Sequence, residues 1–175
     1  MYGFIGSTNL NIIASSFYNF EFPKWAVIAS LLLVLIGFGF KISAVPLHFW
    51  APDVYEGAPT PVAGFLSTAS KAAGFAVLLR FMLTLFTPVI VADWSTVLAT
   101  LAVLTMTVGN LLALAQKNIK RMLAFSSIAH AGYILIGVVA VSQLGAASMI
   151  FYLTAYLITN LAAFGVVVIF WQATG

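Results

Sequence analysis

Hydrophobic residues in this chain come in long blocks, not in the alternating or every-third-or-fourth patterns of water-facing strands and helices. Five blocks are long enough to cross a bilayer, which takes about 20 residues of helix: residues 25–50, 62–86, 95–115, 122–141 and 146–172. The first block is irregular. Its apolar run continues past Lys41 to Val45, Pro46 interrupts it, and a short tail from Leu47 to Trp50 follows. Proline removes a backbone donor and opposes the carbonyl one turn earlier, so a helix broken at Pro46 is expected. Residues 1–24 read as a helix end and an outer loop. With Gly3, Gly6, Asn9 and Asn11 and no basic start, they lack the pattern of a secretory signal.

Polar punctuation separates the blocks. Residues 51–61 carry Pro52, Gly57, Pro59 and Pro61, and residues 87–94 carry Pro88 and Asp93. Such connections cannot lie in lipid, where their backbone groups would find no partner, so the fold class expected is all-α, a polytopic membrane bundle of about five helices. Lys117, Lys120 and Arg121 cluster between the third and fourth blocks, which puts that connection in the cytoplasm. Residues 51–61 and the C-terminal end then share the cytoplasmic side, and 21–24, 87–94 and 142–145 face outward. Trp25, Trp50, Trp94 and Trp171 all fall at the ends of blocks, where amphipathic rings favour the headgroup layer.

Composition narrows the function. Of 175 residues, 63% are hydrophobic and 6% charged, too few polar side chains to coat a water-soluble globule. The absence of cysteine excludes disulfides, thiolate metal sites and cysteine nucleophiles. Seven Lys/Arg spread over the chain are too sparse for a nucleic-acid surface, so the lipid bilayer and no nucleic acid is the expected environment. No phosphate-binding glycine loop, histidine pair at metal spacing or nucleophile elbow is present.

Attention then falls on ionisable residues inside the blocks, each of which costs several kcal/mol at the bilayer centre. Lys41 lies five residues before Pro46, where irregular backbone can line a watery cavity; the competing reading is a stem that snorkels to the interface. Lys71 lies about ten residues into the second block, ~15 Å along a helix axis and near the midplane. Ser67, Thr68 and Ser70 lie close by in sequence, so the amine can meet water and exchange a proton, or it can pair with a carboxylate as a structural cation. Arg80, nearer the outer end, is expected to reach the headgroups or Asp93, since a guanidinium carries no proton away. His130 sits in the middle of the fourth block with Ser126, Ser127 and Tyr133 at helical spacing, either as a relay group or as a packed ring. His48, beside Trp50, reads as structural at the interface. Asp53 and Glu56 read as acids in a rigid connector, with a general acid/base pair as the alternative.

Three stretches carry a family resemblance. Residues 40–62, with Lys41, Pro46, His48 and the run Ala51-Pro52-Asp53-Val54-Tyr55-Glu56-Gly57-Ala58-Pro59-Thr60-Pro61, resemble the membrane subunit N of bacterial NADH:quinone oxidoreductase, respiratory complex I. So do Ser67-Thr68-Ala69-Ser70-Lys71 and residues 116–133. The last stretch is also similar to the wider antiporter-like family, which includes multisubunit sodium/proton antiporters.

The resemblance implies a fourteen-helix antiporter-like fold with two inverted five-helix repeats, of which this chain is a fragment from the end of the sixth helix through the eleventh. By that likeness Lys41 matches the lysine of the broken seventh helix, Lys71 the central lysine of the eighth, and His130 falls in the tenth. The glutamate that partners the broken-helix lysine is expected upstream. The implied function is proton translocation through Lys41, Lys71 and His130, coupled to quinone reduction in other subunits of a respiratory-chain complex in the bacterial plasma membrane. No cofactor is expected in this chain; NADH, FMN, iron-sulfur clusters and quinone would sit in other subunits, and other membrane subunits of complex I would be its partners. The alternatives are a subunit of a sodium/proton antiporter or membrane-bound hydrogenase, and a scaffold whose lysines merely pair with acids.

Overall fold

The computed structural model describes residues 2–19, 23–85, 88–140 and 142–174, the side chains at 18, 19, 24, 88–93 and 174 excepted. Among these residues every regular element is helical. In order they are α1 (Tyr2–Ile5), α2 (Leu10–Asn19), α3 (Lys24–Ile42), α4 (Trp50–Gly57), α5 (Thr60–Phe65), a π-helical turn (Leu66–Ser70), α6 (Lys71–Leu85), α7 (Pro88–Leu114), α8 (Ile119–Val139) and α9 (Gln143–Thr174). Five stretches are long and apolar enough to span a membrane: Trp25–Ile42, Thr60–Leu85, Trp94–Leu114, Ile119–Val139 and Gln143–Ala173. The second joins α5, the π turn and α6 into one column.

The helix break opens before the proline expected to cause it. Ser43 takes a left-handed conformation, φ +61°, and its N–H bonds Phe40 O at 3.1 Å while Ala44 N bonds Gly39 O at 2.8 Å. This closes α3 three residues ahead of Pro46, whose peptide bond to Val45 is cis. Two side chains satisfy backbone groups that the break exposes: Trp50 Nε1 donates to Phe40 O at 2.8 Å, and Thr105 Oγ1 of α7 accepts from Val45 N at 3.1 Å.

Residues 51–61, expected as a connector, coil instead through Gly57 as the last part of α4. Their proline content suits a helix start, since Pro52 lies in the first turn where no intrahelical donor is needed. Tertiary contacts hold this helix down. Arg121 NH1, at the start of α8, donates to Asp53 Oδ1 at 2.7 Å and Glu56 Oε2 at 2.8 Å; Asn118 Nδ2 donates to Glu56 Oε1 at 2.9 Å, and Lys120 Nζ to Ala58 O at 2.9 Å. Asp53 and Glu56 therefore act as anchors for one arginine. The same bonds bring residues 51–61 and 117–121 to one end of the bundle. Asn118 also caps α8, its Oδ1 accepting from Lys120 N and Arg121 N.

α8 is the central helix, packed against α7, α9, α4 and α6. Its approach to α7 is backbone to backbone: a Cβ at Gly109 would lie 2.6 Å from Ala129 N, and one at Gly132 would lie 2.7 Å from Met106 N. Small residues at such crossings let membrane helices pack closely where water supplies no driving force. Large apolar side chains including Leu33, Leu111, Phe151 and Ile158 face outward, as expected where lipid or another apolar surface is the solvent.

The tryptophans divide. Trp25 and Trp171 are exposed, and Trp50 serves the helix break. Trp94 departs from the headgroup position expected of it: it is buried, packed in the main core among residues that include Leu85 and Leu98, because α7 starts at Pro88 and carries position 94 past its first turn. Residues 1–24, expected as a helix end and loop, hold α1 and α2, the latter packed on α6. Glu21 and Phe22 of the outer loop lie outside the described residues.

Candidate functional site

Lys71 begins α6 directly after the π turn. A π turn inserts one residue into the helical ladder and re-aims the side chains that follow; such turns cluster at functional sites. Here Ser67 Oγ and Thr68 Oγ1 both donate to Gly64 O at 2.8 Å, supporting the carbonyl that the wider turn leaves open. Lys71 is 2% exposed, and its ammonium donates to Ser127 of α8 twice, to the carbonyl at 2.8 Å and to Oγ at 2.6 Å. Among the described residues no carboxylate pairs with it, which removes the expected structural-cation arrangement within them. No fixed anion locks this amine in its charged form.

Ser127 is a junction. It lies beside the hydroxyls of Tyr156 on α9 and Tyr55 on α4, both buried. From Tyr156 the polar atoms continue along α9: Asn160 Nδ2 donates to Tyr156 Oη at 3.1 Å and to Ser67 Oγ at 2.5 Å, which returns the string to the π turn. On the other side, the His130 ring lies 4.8 Å from that of Tyr156, and His130 Nδ1 shares a 2.7 Å hydrogen bond with Tyr152 Oη. His130 is close enough to Lys71 to interact with its charge. Tyr133 sets its ring edge-on to His130 at 5.6 Å and accepts from Asn110 Nδ2 at 2.8 Å. The result is a run of hydroxyl, amide, imidazole and amine groups inside an otherwise apolar bundle, the kind of network that must be well satisfied to be tolerated.

Of the three residues expected at the site, Lys71 and His130 are brought together and Lys41 is not. Lys41 is exposed, one residue from the end of α3, with its stem laid over Gly74 of α6. A Cβ at Gly74 would meet Lys41 Cγ at 3.3 Å and Ile42 Cγ2 at 3.1 Å, so the glycine is what admits this approach. Arg80 is exposed, and the side chain of Asp93, its expected partner, lies outside the described residues. His48 is 4% exposed, stacked on Phe49 at 4.5 Å and edge-on to Phe125 at 6.5 Å; it belongs to the packing beneath the helix break, not to the interface expected for it.

Reading the residues without the fold misses Tyr55, Tyr152, Tyr156 and Asn160. The last three had a signal: 152, 156 and 160 follow at intervals of four, one face of a single helix, within a block otherwise apolar. Among the described residues no group of three or more His, Asp or Glu is arranged to hold a metal ion.

Residues 1–174 match the family model described as NADH:quinone oxidoreductase/Mrp antiporter, TM. The chain belongs to this family. Within it, the chain is 50% identical over 182 residues to NADH-quinone oxidoreductase subunit N of Chlorobium chlorochromatii, covering 100% of this chain and 36% of that one. It is 53% identical over 172 residues to NAD(P)H-quinone oxidoreductase subunit 2 of a Nostoc species, covering 97% and 33%. It therefore spans about a third of the length of the curated relatives it matches. Among solved structures it resembles a chain of respiratory complex I from Thermus thermophilus, 40% identical with a TM-score of 0.69, over 90% of this chain and 36% of that one. It also resembles a chain of the Mrp complex from a Dietzia species, 26% identical with a TM-score of 0.79, over 93% and 29%. The antiporter-like family and its helical membrane fold are thus common ground between the two kinds of complex.

Proposed function

We propose that this chain is part of a proton-translocating membrane subunit of an NADH:quinone oxidoreductase, of the subunit N kind, embedded in a bacterial plasma membrane among other membrane subunits. The observation that carries the reading is the Lys71 amine: enclosed in an apolar core, held only by Ser127, and adjoining a continuous set of groups that both donate and accept hydrogen bonds. A neutral Lys71 takes a proton from the Ser127 hydroxyl as that hydroxyl accepts another, and a charged one returns it, so the amine alternates while the serine is left unchanged. His130, with Tyr152 and Tyr156, extends the path along α8 and α9. Lys41 contributes from the surface beside the helix break, where its amine is open to an acid on another helix. The chain does no redox chemistry in this reading; NADH, FMN, iron-sulfur clusters and quinone act in other subunits, and electron transfer there changes the charges that bias Lys71.

The test is Lys71→Met or Lys71→Ala in the complete complex in closed vesicles, with protons moved per electron as the readout. A lowered ratio in an assembled complex is expected. An unchanged ratio removes Lys71 from the path.

A second reading, a sodium/proton antiporter subunit, draws on the TM-score of 0.79 to the Mrp chain, against 0.69 to the complex I chain. The sequence identities run the other way, 26% against 40%, and they favour the oxidoreductase because side-chain chemistry, more than helix placement, separates the two. Sodium-dependent proton exchange by the full-length protein in vesicles, without associated NADH oxidation, would reverse that preference.

A further inference from the structure

Tyr55 is the largest wholly enclosed side chain in the molecule, and its hydroxyl makes no hydrogen bond to the protein. Buried hydroxyls are nearly always bonded, and one left without a partner weakens the fold, so its retention needs a reason other than packing. Its surroundings supply one. The ring is set among Val45, Ala51, Ala63, Ala124 and Phe125 and stands edge-on to Trp50 at 6.5 Å, which fixes its direction. The hydroxyl ends beside Ser127, outside hydrogen-bonding geometry but adjacent to the oxygen that holds the Lys71 amine.

The helix that carries it matters as much. α4 has two faces: Tyr55 points inward, while Asp53 and Glu56, 71% and 39% exposed, sit at the end of the bundle gripping Arg121. One short helix thus links a solvated cluster of charges to the buried serine, from the opposite side to Tyr156 and His130. Ser127 can turn its single hydrogen toward either tyrosine, because its oxygen is already occupied by the amine.

We propose that the Tyr55 hydroxyl is a proton-path residue, joining the α4 end of the bundle to Lys71 through Ser127. The proposal rests on the proton-translocating reading above. A proton reaching the phenol oxygen from water at the α4 end is matched by release of the phenol's own hydrogen to Ser127. Ser127 in turn gives its hydrogen to the neutral Lys71 amine. One proton is gained at Lys71, and both hydroxyls end as they began, rotated. The reverse sequence discharges the amine.

The experiment compares Tyr55→Phe, Tyr55→His and Lys71→Met in the complete complex in closed vesicles, reading assembly, quinone reduction and protons moved per electron. Tyr55→Phe deletes one oxygen and keeps the ring. It is expected to assemble, to retain quinone reduction, and to lower the proton ratio as far as Lys71→Met does. Tyr55→His, which restores a group able to donate and accept a proton, is expected to regain roughly half of that loss. A wild-type ratio in Tyr55→Phe overturns the proposal, provided Lys71→Met lowers it; if Lys71→Met also leaves the ratio unchanged, the parent reading has failed. A fall that Tyr55→His does not regain, or loss of assembly in Tyr55→Phe, also overturns it, since either pattern marks a packing residue.

Discussion

Lys41 and Lys71 carry the same amine on the same stem, and they lie on helices packed against each other, α3 and α6. Their surroundings are opposites. Lys71 is closed off by the π turn, α8 and α9 and spends its hydrogen bonds on one serine; Lys41 lies on the outside, its stem against Gly74 and its head open. The difference teaches that depth in an apolar block does not decide how an intramembrane lysine is held. What decides it is which neighbouring helices cover the stem, and whether they offer oxygens without fixed charge.

This contrast can be broken most sharply by removing each charge in turn. Met is unbranched and close to the lysine stem in shape, so Lys71→Met takes away a buried cation while leaving the packing in place. We expect it to raise unfolding stability by about 1–4 kcal/mol, as replacing buried charge by apolar volume often does. Lys41→Met, at an exposed position, is expected to change it by less than about 0.5 kcal/mol. Thermal unfolding of the purified complex checks both, and equal effects would dissolve the comparison.

Next in size is the contact that joins the two lysines' helices. Gly74→Val sets methyl groups against Ile42 Cγ2 and Lys41 Cγ, where even a Cβ would come within 3.1 and 3.3 Å. A loss of about 1–3 kcal/mol is expected from overpacking, read in the same unfolding experiment. No change would show that α3 does not press on α6 there.

The smallest effect belongs to the exposed charges at the α4 end. Arg121→Gln is expected to lower the thermal midpoint slightly at low salt and not at all in concentrated salt, because exposed ion pairs are screened. A drop that persists in high salt would mean that Arg121 works through its hydrogen bonds to Asp53 and Glu56 more than through charge.

Much of this was legible in the residues. Block length and hydropathy gave an all-helical bundle with five spans, and a lone lysine in a twenty-residue apolar run marked position 71. Other features were not legible, for physical reasons. Pro52, Gly57 and Pro59 are strong local breakers, and only the tertiary grip of Arg121 on Asp53 and Glu56 explains why residues 50–57 stay helical. The π turn before Lys71 leaves no mark in propensity, since it depends on the Gly64 carbonyl finding two hydroxyls. Trp94 followed a statistical preference for span ends, and burial against Leu98 outweighed it. Tyr55 looked like part of a connector because its value lies in Ser127, 72 positions away in the chain.

The central claim is that Lys71 releases and regains a proton, and Lys71→Arg in the assembled complex addresses it most directly. Arginine keeps the positive charge and the donors toward Ser127 but holds its proton at any working pH. The account predicts a proton-to-electron ratio as low as that of Lys71→Met. A ratio equal to wild type in the arginine variant would mean that position 71 needs only a fixed cation, and would contradict the account.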